Sequence, residues 1–305
     1  MRGLLIVNPL ATSMSGTICD LVVRSLAGLV DVRVEKTRYR GHARELAAAA
    51  CGELVIVLGG DGSINEVVNG VMSQHSGDAE PPLIAVLPGG GGNVFAQALG
   101  LPADAAAAIR KVREVIAAQS YQTIGLGLAG DRYFTFSAGL GMDAEVVRAV
   151  DLLRAAGRRE SASLFLRTMV RQYYRTDRRR AALTMERDGQ PPASDLFLTI
   201  ITNRSPWTYF RHRAVLPVPH PDFRSGLDVL AMRQVRLSTI FYLVIQMMWI
   251  RRRPPRARDV TAVHGEESLT VRSARPIAFQ VDGEYLGEIE TVKFQFVPNA
   301  LRVAA

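Results

Sequence analysis

LVIVLGGDGSINEVVNG, residues 54–70, decides how this chain folds. An apolar run of strand length ends in Gly59-Gly60-Asp61-Gly62, and a helix-forming stretch follows with Asn65 and Glu66 in its first turns. Glycine permits the tight turn and lets a ligand approach the main chain closely. Backbone N–H groups at such a strand-to-helix junction grip phosphate. Asp61 stands in the middle of the loop. A carboxylate beside phosphate must hold a cation, take a proton or hydrogen-bond a ligand hydroxyl, and a magnesium nucleotide meets all three conditions. Taken by itself, the junction also reads as an ordinary strand–helix turn whose glycines serve geometry alone.

Residues 83–100, LIAVLPGGGGNVFAQALG, repeat the grammar of apolar strand, glycines and helix former. Two glycine-rich strand ends in one α/β unit lie together at the carboxyl edge of a parallel sheet, where ligands bind in such folds. Neither fits the P-loop pattern Gly-x-x-x-x-Gly-Lys-Ser/Thr, nor Gly-x-Gly-x-x-Gly with a later ribose-binding acid.

The 305 residues leave room for two domains, and 48% hydrophobic with 22% charged residues makes a globular chain. The net charge of +8 is carried almost wholly by arginine, since Lys36, Lys111 and Lys293 are the only lysines. That balance favours an anionic partner, whether nucleotide, nucleic acid or membrane surface, although arginine richness also follows genome composition. Cys19 and Cys51 form no disulfide framework. His42, His75, His212, His220 and His264 lack metal-ligand spacing. The apolar run of MRGLLIVNP is too short for a signal peptide and reads as a first strand, so a cytoplasmic chain is expected.

Strands at 3–8, 30–36, 54–58 and 83–87 alternate with helices near 15–28, 41–51, 63–73 and 104–117. From about residue 121 the pattern changes to short alternating runs, at 121–128, 132–137, 181–187, 195–202, 227–232, 268–272, 276–281 and 290–297. The fold class expected is an α/β domain over 1–120, a β-sandwich with helical insertions over 121–290, and a closing segment over 291–305. One insertion, about 143–176, carries Arg148, Arg154, Arg158, Arg159, Arg167, Arg171 and Arg175 and runs into Arg178, Arg179 and Arg180. The other, LSTIFYLVIQMMWI at 237–250, is followed at once by Arg251, Arg252 and Arg253. It is shorter than the roughly 17–25 residues a membrane span needs. It is either a core helix with a cationic C-terminal cap or a helix lying on lipid headgroups, with core packing slightly favoured.

These residues resemble the diacylglycerol kinase catalytic family, which includes bacterial lipid kinases and sphingosine kinases and is distantly related to NAD kinases. The resemblance rests on Asn8-Pro9, on Thr37 with Gly41-His42-Ala43, on GGDGSINEVVNG at 59–70, on LPGGGGNVFAQALGLP at 87–102, and on Asp282-Gly283-Glu284. It implies a nucleotide-binding α/β domain, a β-sandwich, an active site in the cleft between them, and ATP-dependent phosphorylation of a lipid hydroxyl with Mg²⁺. The family's nucleotide contacts fall on Asn8, Pro9, Thr37, Gly59, Gly60, Asp61, Gly62, Ser63 and Asn65, with Gly90, Gly91 and Asn93 in the second glycine block. The family's proton acceptor falls on Glu284, which by itself reads equally as a hairpin-turn residue. Many members read Gly-Thr-x-Asn-Asp-Phe-Ala in the second block, where this chain has Gly91 and Val94 in place of the threonine and aspartate. A structural metal site of the family corresponds to the neighbourhood of Ser225-Gly226, with Asp222 and Asp228 as the acids at hand.

Asp61 is accordingly the expected Mg²⁺ ligand, Glu284 the expected base, and diacylglycerol the leading acceptor. A sphingoid base, another lipid alcohol and a soluble acceptor stay open, as does a nucleotide- or lipid-binding regulator without catalysis. The long apolar and arginine-rich insertions favour peripheral contact with an anionic membrane. No nucleic acid is expected, since Tyr173 and Tyr174 in the basic stretch form no reader motif. Free sandwich edges leave room for a homodimer.

Overall fold

The computed structural model describes residues 1–10, 16–50, 52–75, 80–156, 162–176, 181–203, 206–210, 213–217, 223–249 and 255–305. The chain divides into two compact units, Met1–Leu126 with Pro298–Ala305, and Gly127–Val297.

The first unit alternates β1 (Arg2–Val7), α1 (Gly16–Leu26), β2 (Asp31–Lys36), α2 (His42–Ala49), β3 (Leu54–Gly59), α3 (Asp61–Ser73), β4 (Leu83–Pro88), α4 (Val94–Ala98) and α5 (Ala105–Ala118). The strands pair in parallel in the order β2-β1-β3-β4. Every residue of β3 and β4 is buried, which is why both read as unbroken apolar runs rather than alternating ones. Helix α1 packs on α5 and α2 on α3. Gly70 permits the second approach: a Cβ there would stand 2.4 Å from the Arg44 carbonyl oxygen and 2.8 Å from Ala47 Cβ. Asp104 caps α5, its carboxylate accepting from Ala107 N at 2.8 Å.

The remaining elements are β5 (Gln122–Ala129), β6 (Arg132–Phe134), β7 (Ser137–Gly141), α6 (Met142–Ala155), α7 (Ala162–Arg175), β8 (Leu183–Arg187), β9 (Ala193–Leu196), β10 (Leu198–Thr202), β11 (Thr208–Phe210), β12 (Arg213–Val215), β13 (Leu227–Met232), α8 (Leu237–Trp249), β14 (Val260–Glu266), β15 (Ser268–Val281) and β16 (Glu284–Ala304). In the second unit the strands run antiparallel in the order β14-β13-β10-β7-β15-β16. Strands β10 and β13 are buried on both faces. Ile201, Val229 and Ala231 join a β-lined core with Phe134, Phe279 and Phe294. Their neighbours Ile200, Leu230 and Met232 point the other way into a second core, with Met142, Tyr173, Leu243 and Met247 from the helices. Strand β15 pairs with β8 through Leu269–Ser273 and with β7 through Phe279–Val281, a register shift separating the two stretches. The 21-residue β16 pairs with β15 over its first part, and its Arg302, Val303 and Ala304 pair in parallel with β4 of the first unit.

The structure departs from the sequence expectation at several places. The long arginine-rich insertion is two helices, α6 and α7; Arg158, Arg159 and Arg178 to Arg180 lie outside the described residues, as do Cys51, His212, His220 and Arg251 to Arg253. Strand β14 escaped detection because its His264-Gly265-Glu266 end breaks the apolar alternation. The runs at 268–272 and 276–281 are one strand, since Ser273, Ala274 and Arg275 between them are largely solvated strand residues rather than a turn.

Candidate active site

In the first unit, Asn8, Thr37, Gly60 and Gly89 each follow a strand of one parallel sheet, so the register brings them to its carboxyl edge: Val7 lies opposite both Lys36 and Leu58, and Gly59 opposite Pro88. The Thr37 N–H donates to the Val7 carbonyl at 2.9 Å and the Asn8 N–H to that of Leu58 at 3.2 Å. The Asn8 side chain closes the turn over Pro9 by accepting from Leu10 N at 3.0 Å, and donates from Nδ2 to Ser63 Oγ at 3.1 Å.

The two glycine loops press together. A Cβ on Gly90 would stand 2.6 Å from Gly60 Cα, and one on Gly89 would stand 3.1 Å from Gly59 Cα. These four glycines are explained by packing. Gly62 and Gly91 are different: a Cβ on either would meet nothing within 4 Å, and neither has a positive φ. Their missing side chains leave open space beside the start of α3, whose N-cap is Gly60 and which has no side-chain cap. A 13-residue helix beginning this way directs N–H groups and the positive end of its dipole at that space.

Asp61 ties the loops to each other. Its Oδ2 accepts from Val94 N and its Oδ1 from Phe95 N, both at 3.0 Å, so it caps the five-residue α4 from the neighbouring loop. Asn93, at φ 47°, accepts from Gly90 N at 2.8 Å and donates to Gly90 O at 2.7 Å, locking the second loop. Glu66 does the equivalent for the segment after Thr37, accepting from Gly41 N at 2.8 Å and Ala43 N at 3.2 Å. Sequence reading did not single it out, and its only sequence signal is its place on α3, five residues beyond Asp61. Asn65 is the most enclosed polar residue of this helix. It is 1% exposed and accepts from Asn69 Nδ2 through its own Oδ1 at 3.1 Å, on the buried side of α3 with Ile64 and Val68.

These residues fit a nucleotide: the open space at Gly62 and Gly91 beside an uncapped helix start suits phosphate oxygens. Magnesium carried on phosphates keeps most of its shell as water and phosphate oxygen and needs one or two carboxylates. Asp61 is the carboxylate that would supply one, since a carboxylate oxygen that accepts one N–H still has acceptor capacity. Among the described residues no group of three or more His, Cys, Asp or Glu side chains is placed to hold a metal. Asp228 is 3% exposed, with its Oδ1 2.5 Å from His264 Nδ1 and accepting from Gly265 N at 3.3 Å, so it braces the end of β14. Asp222 lies outside the described residues.

In the second unit Glu284 opens β16 and pairs with Arg132, Nη2 to Oε2 at 3.0 Å, both side chains about one-fifth exposed at 19% and 18%. Asp282, at φ 48°, is buried and accepts from Thr135 N and Oγ1 and from the N–H groups of Phe136 and Ser137, at 2.8–3.0 Å. It shapes the turn that presents Glu284. A further acid that sequence reasoning passed over is Asp143, in the first turn of α6. Burial pushes its carboxyl up to about 6, against which the hydrogen bond from Gln280 Nε2, 2.8 Å away, acts weakly. Gly139 makes room for it: a Cβ there would lie 2.0 Å from Asp143 Oδ2.

Residues 2–123 match the family model described as diacylglycerol kinase catalytic domain. Diacylglycerol kinase of Bacillus subtilis (strain 168) is 37% identical over 100 residues, 33% of this chain and 31% of that protein, so the aligned stretch spans about a third of the relative's length. A crystal structure of a diacylglycerol kinase from Bacillus anthracis str. Sterne superposes with a TM-score of 0.72 at 18% identity, covering 99% of this chain and 96% of that one. An NAD kinase from Archaeoglobus fulgidus in complex with ATP superposes at 0.52 with 10% identity, covering 100% and 94%. Fold and sheet edge together define an α/β domain with two glycine-rich loops at the carboxyl edge of its parallel sheet, followed by a β-rich part. The similarity to the diacylglycerol kinase catalytic domain is carried by residues 2–123.

Proposed function

We propose that this chain is an ATP-dependent lipid kinase that transfers the γ-phosphoryl group to a lipid hydroxyl, with diacylglycerol as the acceptor and phosphatidic acid as the product. The observation that carries the reading is the pair Gly62 and Gly91, whose missing side chains no packing contact explains, beside an uncapped helix start in the family-matched segment. Phosphoryl transfer asks a protein mainly for positioning and charge neutralisation. Main-chain N–H groups from Gly60 to Ser63 hold the phosphates, Asn8 orients the Ser63 hydroxyl, and Asp61 fixes the spacing of the two loops. Bound MgATP supplies the phosphoryl group and the cation that offsets its charge, with Asp61 as the carboxylate toward Mg²⁺. Glu284 takes the proton from the acceptor hydroxyl as that oxygen bonds to the γ-phosphorus and the bond from phosphorus to the departing ADP breaks, and Arg132 holds that carboxylate in place. The setting is peripheral, at the cytoplasmic surface of a membrane.

The test is incubation with labelled ATP, Mg²⁺ and a panel of diacylglycerol, sphingoid bases, other lipid alcohols and soluble acceptors including NAD. Labelled phosphatidic acid is expected. Label on a soluble acceptor alone, or nucleotide binding without turnover on any acceptor, overturns the reading. Glu284→Gln is expected to bind nucleotide normally and to lose about 10²–10⁴-fold in kcat; wild-type turnover would remove Glu284 from the mechanism.

A further inference from the structure

Helix α8 has no charged residue anywhere along Leu237–Trp249, yet only one side of it is buried. Leu243, Met247 and Met248 pack into the second core, with Ile240 and Val244 against it. The opposite side presents Leu237 (39% exposed), Phe241 (69%), Tyr242 (54%), Ile245 (39%) and Trp249 (59%). Steps of four along the helix place Leu237, Phe241, Ile245 and Trp249 in one stripe. A helix on a solvated surface carries charge and polar groups on that side; this one carries aromatic and aliphatic groups.

Cations flank the stripe. Arg236 immediately precedes the helix, and Arg251, Arg252 and Arg253 follow in the sequence. Arg256 and Arg258 are exposed. The chain after the helix is stitched back onto it: buried Gln246 donates from Nε2 to Arg256 O at 3.1 Å and accepts from Arg256 N at 3.0 Å. An aromatic stripe next to arginines matches the region of a bilayer where acyl chains meet anionic headgroups. A second copy of the chain is a poorer occupant, because a two-fold contact through this face would bring the same arginines toward each other. Among the described residues no helix is long and apolar enough to cross a membrane, so a helix of this length lies in the surface rather than through it.

We propose that α8 is a membrane-docking face, lying in the headgroup layer of an anionic bilayer with Phe241, Tyr242 and Trp249 toward the acyl chains and Arg236, Arg256 and Arg258 on lipid phosphates. This deepens the lipid-kinase reading by naming the surface that meets the acceptor's membrane. Its test needs neither ATP nor turnover, so either can fail without the other.

The full chain is sedimented with phosphatidylcholine vesicles, with and without about 30 mol% phosphatidylglycerol. Binding to the anionic vesicles is expected to exceed binding to neutral ones at least tenfold, and to fall several-fold when salt rises to about 0.5 M. Phe241→Gln with Trp249→Gln is expected to lower binding to anionic vesicles by about tenfold or more, at an unchanged thermal midpoint because both side chains are largely exposed. In a Trp207→Phe background, Trp249 emission should move to shorter wavelength on vesicles and be quenched by brominated acyl chains. Wild-type sedimentation by the double variant, or unmoved Trp249 emission, overturns the proposal. So does a solution dimer that the double substitution converts to monomer.

Discussion

In the first unit the acidic side chains hold backbone at an open sheet edge: Asp61 accepts from Val94 and Phe95, and Glu66 from Gly41 and Ala43. In the second unit they are enclosed. Asp282 spends its carboxylate on Thr135, Phe136 and Ser137, and Asp143 sits buried against Gln280. Both units therefore use carboxylates as anchors for main chain or neighbouring amides, but one set surrounds a space and the other fills one. Substitutions of Asp61 and Glu66 should be read mainly in ligand binding, and those of Asp282 and Asp143 mainly in stability.

The sharpest way to break that contrast is Asp282→Ala. It strands several buried donors at once, and a loss of about 3–5 kcal/mol is expected in denaturant unfolding, with nucleotide affinity below the transition unchanged. A stability change under about 1 kcal/mol would show that water replaces the carboxylate and that the second unit is not built on it.

Asp143→Asn comes next and should act in the opposite direction. Because burial raises the folded-state value of Asp143 to about 6, folding favours its protonated form. The wild type accordingly loses stability as pH rises from about 4 through 6 and is level above that. The asparagine variant should lack this slope and be more stable by up to about 3 kcal/mol at pH 7, the advantage vanishing near pH 4. Parallel pH profiles of the two proteins would mean that the carboxyl is solvated.

The smallest effect, and the most discriminating, is at Gly62. Alanine there meets nothing within 4 Å and improves helix propensity, so stability should rise by roughly 0.5–1 kcal/mol. Nucleotide affinity should fall, because the added methyl group enters the space assigned to phosphate. Gly90→Ala, in contact with Gly60, should lower both. If Gly62→Ala left calorimetric nucleotide binding intact, the phosphates would lie elsewhere.

How much of this was legible in the sequence follows the same division. Apolar runs ending in glycine mark buried parallel strands, and β3, β4 and the loops after them stand where that grammar puts them. What the letters do not carry is partnership at a distance. Asp61 meets its donors 33 and 34 residues on, Asp143 meets Gln280 at a separation of 137, and Arg132 meets Glu284 at 152. The resemblance places Asn65 among the nucleotide contacts, and the letters do not show that its side chain is buried on α3 beside Ile64 and Val68. The reading of α8 as core was half of the answer, since hydropathy alone does not say that a helix is apolar on both sides.

Strand β16 carries a consequence for biosynthesis. Arg302, Val303 and Ala304 extend the parallel sheet beside β4, yet they leave the ribosome only after the whole of Gly127–Val297 has been made. Until they arrive, one margin of a hydrophobic sheet is without its neighbour, a state prone to self-association in nascent chains. Folding of the first unit thus waits on synthesis of the second, and deleting Arg302, Val303 and Ala304 should yield insoluble protein even though every glycine of the two loops is retained.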